Sequence, residues 1–158
     1  MLSIISGTPW WVWIIFAEII YIGFAATKPR VVWLPRLFII PVILMAFKAE
    51  VIFAADIRVL TAYALCSLFG LVIGYMHAMH QNFEILKKQM SVRLNGSWLT
   101  LTLLLSFFSI KYVFGFMSYE MPQLAEEYKA LELGICGLFA WYFLGRAISY
   151  SVAYLKNR

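Results

Sequence analysis

The sequence predicts an all-α integral membrane protein, a single domain built as a bundle of about five transmembrane helices. Hydrophobic residues make up 63% of its 158 residues and charged residues only 13%. An ordinary soluble domain is nearer to half apolar and a quarter charged. Aromatic residues reach 18%, and Trp and Tyr concentrate where membrane proteins meet the lipid headgroups. A bilayer therefore suits this composition better than water does.

Five apolar stretches approach the roughly 20 residues that a helix needs to cross a bilayer. The first follows Thr8, a helix-capping residue type, and opens with Pro9, which fits a first helical position. No basic residue precedes Lys28, so we expect this stretch to be a retained span and not a signal peptide. The predicted spans are about 9–26, 31–47, 59–79, 97–117 and 131–155.

The second span contains Pro35, Arg36 and Pro41, and it is therefore predicted to be kinked or to start late. Ser97 follows Asn95-Gly96 and is the predicted N-cap of the fourth span.

The distribution of Lys and Arg predicts the orientation in the membrane, because these residues accumulate on the cytoplasmic side. One set of connections and the C-terminus hold seven basic residues: Lys28, Arg30, Lys87, Lys88, Arg93, Lys156 and Arg158. The opposite connections hold three, which are Lys48, Arg58 and Lys129. We therefore expect the N-terminus outside and the C-terminus in the cytoplasm.

The cytoplasmic connection 80–96 has apolar residues alternating with polar ones on both sides of Lys87-Lys88. Alternation with a period of two is typical of a strand, so a short β-hairpin is the favoured interpretation. An amphipathic surface helix carrying Phe83, Leu86 and Met90 is the alternative.

Ionisable groups inside a span are costly, and they usually have a partner or a function. Glu18 in the first span and Lys111 in the fourth are predicted to lie at similar depth and to form an ion pair. The pair could fix the helix register, or it could form a proton, cation or headgroup site.

Arg36 and Arg146 lie toward the predicted cytoplasmic side, where each could extend to lipid phosphate. The alternative is that they line an anion-binding pocket together with Lys28 and Arg30, since guanidinium groups suit phosphate and carboxylate.

Other patterns give weaker signals. His77 and His80 share a helix face with Met76 and Met79, but no further ligand completes a metal site, so neither metal nor cofactor is predicted. Gly70 and Gly74 form a GxxxG pattern, which indicates close helix packing within the bundle or in a homo-oligomer.

No catalytic motif is present, so the hypothesis that the protein is an enzyme has no positive support. The net charge of +5 lies in short separate clusters, so nucleic acid is not an expected partner.

The segment Leu94-Asn95-Gly96-Ser97-Trp98-Leu99, followed by Lys111-Tyr112-Val113-Phe114-Gly115, resembles uncharacterised bacterial inner-membrane proteins of the DUF6622 type. That group has a P-G-S-W-x-P-L start to a span, and this chain differs by having Asn95 and Thr100 in place of the two prolines. The resemblance implies a multi-pass protein of the bacterial inner membrane, but no activity. It adds Tyr112 to the candidate binding residues and marks Gly96, Ser97, Trp98 and Gly115 as motif positions. A weaker similarity is to CcdC-like membrane proteins.

The favoured function is a non-enzymatic membrane module that binds lipid or another membrane protein. The alternatives are a small transporter or proton-coupled permease with a midplane Glu18/Lys111 site and, third, an enzyme acting on a lipid or quinone. An enzyme would need a pocket converging on Glu18, His77 or His80.

Overall fold

The structure, a computed structural model, describes residues 10–46, 56–86, 90–121, 123 and 128–156. Within these ranges the chain is mostly helical and carries a small antiparallel sheet. The elements are α1 (Trp10–Thr27), β1 (Arg30–Trp33), a 3-10 helix (Leu34–Phe38), α2 (Ile39–Ala46), α3 (Ile57–His80), β2 (Phe83–Leu86), β3 (Ser91–Leu94), α4 (Trp98–Glu120) and α5 (Lys129–Lys156). The predicted cap at Thr8 and Pro9, and the end of the second span at Phe47, lie outside the described residues.

Three of these helices, α3, α4 and α5, are long and apolar enough to cross a membrane. The apolar stretches Val12–Thr27 and Leu34–Ala46 are shorter. Of the apolar window in each long helix, 61% is buried in α5 but only 17% in α3 and 11% in α4. The central helix is therefore α5, and the apolar surfaces of α3 and α4 face outward as in a membrane protein.

Small residues bring α3 and α5 into close parallel contact. Ser67, Gly70, Gly74 and Ala78 form a buried stripe along α3. The backbones of Leu138 and Tyr142 pack directly against the two glycines, so no room remains for a Cβ atom. The GxxxG pattern thus serves packing within one chain, and a homo-oligomer would have to use another surface.

A second helix pair consists of α1 and α4, which run antiparallel. Gly23 lies against Leu101, and the rings of Phe16 and Phe108 have centroids 5.0 Å apart. At the other end of the pair, Phe24 meets Trp98 edge-on at 6.3 Å.

The predicted β-hairpin is confirmed, since β2 and β3 pair antiparallel with Phe83 opposite Leu94 and Leu86 opposite Ser91. The predicted alternation is found in part. Val92 and Leu94 are buried and Glu84 and Arg93 are exposed, but Ser91 is buried as well and Met90 is 54% exposed. Glu84 and Arg93 form a cross-strand ion pair of 3.5 Å on the outer face of the sheet.

The start of the predicted second span was wrong. Residues 30–33 form β1, which pairs antiparallel with β3 and makes the strand order β1-β3-β2. The 3-10 helix follows with Pro35 in its first turn, and the α-helical part described begins only at Ile39. Trp33 is still extended, with φ −70° and ψ 130°, so the strand ends there and the 3-10 helix begins at Leu34. The Leu34 amide also donates to the Met90 carbonyl at 3.0 Å.

The sheet covers one end of the bundle. Its inner face packs on the last turns of α3 and α5, where the Phe83 and Tyr150 rings meet edge-on at 5.1 Å. The buried residues of this cluster are Val32, Leu34, Ala78, Val92, Leu94 and Tyr150. We call this end, where α1, α3 and α5 finish and α4 begins, the sheet end of the bundle.

Candidate functional site

Arg146 lies on α5 at the sheet end and is only 8% exposed. Its Nη1 donates to Thr100 Oγ1 at 3.1 Å, and its Nη2 donates to Gln81 Oε1 at 3.1 Å and to the Tyr150 hydroxyl at 3.2 Å. The Tyr150 hydroxyl in turn donates to Gln81 Oε1 at 2.7 Å. Neutral groups from α4, α5 and the end of α3 therefore hold a buried cation.

The positive charge of Arg146 is not neutralised inside this network. No carboxylate pairs with it in the part of the chain that the structure describes, and its Nε is buried without a hydrogen-bond partner. Its guanidinium carbon lies 5.9 Å from the ring centroids of both Tyr142 and Tyr150, where the ring faces attract a cation. Aromatic contact of this kind reduces the cost of burial but leaves a net positive charge.

A cavity of about 60 Å³ lies beside Arg146. Two further cations, Lys28 and Arg30, line it, and none of its lining residues in the described part of the chain is acidic. The other lining residues are Ala26, Leu37, Ile40, Leu94, Asn95, Ser97, Thr100, Phe143, Ala147 and Tyr150. The cavity is thus lined by cationic and polar residues and by apolar residues.

The cations of the sheet end repel one another. Burial lowers the pKa of the Arg30 guanidinium, and the positive charges of Arg36 and Arg146 lower it further. Arginine nonetheless stays protonated in proteins, so the repulsion persists. An anion in the cavity would relieve it.

The predicted grouping of basic residues is therefore found in part. Arg146, Arg30 and Lys28 line one cavity. Arg36 is exposed and is not among the lining residues. Its positive charge nevertheless repels that of Arg30. Thr100, Gln81 and Tyr150 hold the Arg146 guanidinium beside the cavity, so Arg146 does not extend freely along the protein surface.

The motif Gly96-Ser97-Trp98 joins the start of α4 to the end of α1. The Ser97 amide donates to the Ala26 carbonyl at 2.9 Å, so it satisfies one of the free carbonyls at the end of α1. Gly96 packs against the Thr27 backbone with no space for a Cβ atom. Asn95 and Ser97 consequently lie at the cavity. Gly115, by contrast, is exposed and has no close neighbour.

The predicted ion pair between Glu18 and Lys111 was wrong. Lys111 Nζ donates to Glu132 Oε1 at 2.5 Å, which joins α4 to the first turn of α5. Glu18 is on the exposed side of α1. Tyr112, one residue after Lys111, stacks on Phe108 with centroids 6.3 Å apart. Glu18 was predicted to lie at the same depth as Lys111, but Lys111 pairs with Glu132 at the start of α5.

His77 and His80 point to different partners and do not converge. His77 Nδ1 and the Tyr142 hydroxyl form a hydrogen bond of 2.5 Å between α3 and α5. His80 Nδ1 donates to the Met76 carbonyl of its own helix at 2.8 Å. Within the described ranges, no three His, Cys, Asp or Glu side chains group as metal ligands.

Sequence reasoning missed Thr100, Gln81 and Tyr150, the three groups that hold Arg146. One local signal was available, since Arg146 and Tyr150 are four residues apart and therefore share a helix face. The positions of Thr100 and Gln81 depend on tertiary packing, which no local pattern encodes.

Comparisons with protein-family models, with curated proteins and with solved structures found no match to this chain. The functional argument therefore rests on the site itself.

Proposed function

We propose that this chain is a non-enzymatic, multi-pass membrane protein that binds the anionic headgroup of a membrane lipid at the sheet end of its bundle. One observation carries the proposal. Three cations, Lys28, Arg30 and Arg146, line a cavity that has no acidic lining residue within the described ranges. Like charges held close together repel one another, and a bound anion offsets that cost.

The proposed topology has five spans, with the N-terminus outside and the C-terminus and the sheet on the cytoplasmic side. The helix directions support alternate crossing, because α3 and α5 are parallel and α1 and α4 antiparallel. The basic residues of the sheet end support a cytoplasmic location for it.

The depth of Arg146 suits contact with headgroups. With 28 residues, α5 is about 42 Å long, which exceeds the roughly 30 Å of the hydrocarbon core. Arg146 lies ten residues before Lys156, which corresponds to about 15 Å of helix. If the excess length of α5 projects at the sheet end, Arg146 lies near the boundary between hydrocarbon and headgroups.

We further propose a location in a bacterial inner membrane and a relationship to the DUF6622-type proteins. The support is the role of Gly96, Ser97 and Trp98 in joining α4 to α1. Proteins of the same fold would need the same contact between α1 and α4, which gives them a structural reason to share this motif.

The two other functions have less support. The transport hypothesis required Glu18 and Lys111 to form one site, but Lys111 is bonded to Glu132. The enzyme hypothesis required a pocket at Glu18, His77 or His80, and the cavity beside Arg146 is lined by none of them. A homo-oligomer or a membrane-protein partner remains a proposal without an assigned surface.

The experiment compares two charge-removing variants of the same sheet. Arg30→Gln removes a cavity cation, and Arg93→Gln removes an exposed charge from the opposite face. The full chain is purified in neutral detergent, and its melting temperature is recorded as anionic lipid is added. A ligand at a hundred times its Kd stabilises the folded state by about 2.7 kcal/mol.

We expect the native chain and Arg93→Gln to be stabilised alike and Arg30→Gln to lose most of the effect. Equal stabilisation of both variants would refute the proposed site, because a diffuse surface charge would then suffice.

A further inference from the structure

The cavity beside Arg146 also favours one kind of anionic headgroup, an inference that rests on the proposed function. Its volume of about 60 Å³ is several times the roughly 10–15 Å³ that one water molecule needs, so a phosphate group has room to enter. The charge of the lining residues, and not the volume, then decides which phosphate is preferred.

The charge of the lining favours a doubly negative group. Lys28, Arg30 and Arg146 contribute three positive charges, and the charge of Arg36 acts on Arg30 as well. A phosphodiester headgroup carries one negative charge and would leave two lining cations uncompensated. A phosphomonoester carries −1.5 to about −2 at neutral pH and has three terminal oxygens that accept charge-assisted hydrogen bonds.

The apolar lining residues favour a lipid over a free phosphate ester. Leu37, Ile40 and Phe143 line the same cavity as the cations. Ile40 belongs to α2, which has further exposed apolar residues, with Val42 58% exposed and Ile43 48% exposed. A ligand with a phosphate and an attached hydrocarbon chain would contact both kinds of lining residue.

From these three observations we propose that the cavity selects lipid phosphomonoesters, whose phosphate bears no further substituent, over lipid phosphodiesters. Arg30, Arg146 and Lys28 contact the phosphate, and the lipid chains leave along α2.

The test measures the affinity of the full chain in neutral detergent for three lipids with the same acyl chains. These are phosphatidic acid, a phosphomonoester; phosphatidylglycerol, a phosphodiester; and phosphatidylcholine, which is zwitterionic. Glycerol 3-phosphate is added as a competitor without acyl chains. One additional charge-assisted contact corresponds to about 10- to 100-fold in affinity, and we expect a preference of that size for phosphatidic acid at pH 7.5.

The preference should decrease as the pH falls through about 6, where a phosphomonoester gains its second proton. His77 interacts electrostatically with Arg146, and a positive charge gained there at lower pH would strengthen binding, which is opposite in sign. A preference that falls with pH therefore reports protonation of the phosphate.

Arg30→Gln should reduce the preference at least tenfold, and Arg93→Gln should not change it. If Arg30→Gln fails to fold, as judged by circular dichroism, Lys28→Gln replaces it, because Lys28 is exposed.

Each of the following three outcomes would refute a different part of the proposal. Equal affinity for both anionic lipids, lost together in Arg30→Gln, would refute selectivity and leave the proposed function standing. Binding of all lipids independent of Arg30 and Lys28 would refute both. Competition by glycerol 3-phosphate at the concentration effective for phosphatidic acid would show that the site takes free phosphate esters and has no use for the lipid chain.

Discussion

Gly74→Ala tests whether the close contact between α3 and α5 holds the bundle together. An added Cβ atom would lie 2.8 Å from the Tyr142 carbonyl carbon and closer still to its oxygen, whereas ordinary contacts begin at 3.4 Å. The carbonyl carbon alone requires the two helices to separate by 0.6 Å, and the closer carbonyl oxygen requires more. A gap of that size forfeits a quarter to a half of the dispersion energy of each facing atom pair.

The expected cost follows from this separation. Forcing extra atoms into a well-packed contact typically destabilises by about 1–3 kcal/mol. The atoms that give way here are backbone and cannot rotate aside, so we expect the upper part of that range. The assay is thermal unfolding of the purified chain in neutral detergent, followed by circular dichroism.

Gly115→Ala is the matched control. It makes the same change inside another long helix, α4, at a position where an added Cβ atom meets nothing within 4 Å. Alanine favours helix over glycine by about 0.8–1 kcal/mol, so this variant should be neutral or stabilised. Equal melting temperatures for Gly74→Ala and the native chain would refute the packing argument, and so would equal destabilisation by both variants.

Three further substitutions test separate contacts. Arg146→Met should abolish the response to anionic lipid and remove the hydrogen bonds that Thr100, Gln81 and Tyr150 accept from the guanidinium, which we expect to cost about 1–3 kcal/mol in a denaturant titration; unchanged lipid response would contradict the site. Lys111→Met should destabilise by about 1 kcal/mol or more because the Glu132 carboxylate loses its contact with the Lys111 ammonium, and adding Glu132→Gln should restore part of the loss; additive losses in the double mutant would argue against the ion pair. Gly96→Ala should lower the melting temperature, because its Cβ atom would overlap the Thr27 backbone; an unaltered melting temperature would mean that this contact is not required.

The helices and the hairpin could be predicted because their signals are local. Long apolar runs predicted α1, α3, α4 and α5, and the alternation around Lys87-Lys88 predicted the hairpin. By contrast, β1 was not predicted, because the short apolar run Val31-Val32-Trp33 is as typical of the start of a helix as of a strand. Only its pairing with β3, about sixty residues later in the chain, makes it a strand.

The charged residues of the site could be predicted from the sequence, but the neutral residues that bind Arg146 could not. The bias of Lys and Arg toward one side of the membrane brought Lys28, Arg30 and Arg146 together as candidates. The hydrogen bonds that hold Arg146 come from separate helices, so they depend on how the helices pack. The error over Glu18 has the same origin, since depth along a helix says nothing about which face the side chain occupies.

The central claim, that cations at the sheet end bind a phosphate, is tested most directly by locating phosphorus. The measurement is an electron cryo-microscopy or crystal structure of the full chain purified with phosphatidic acid. We predict density for one phosphate group in the cavity, within hydrogen-bond distance of the Arg146 and Arg30 guanidinium groups, with acyl-chain density along α2. An empty or water-filled cavity, with lipid ordered elsewhere around the bundle, would contradict the account.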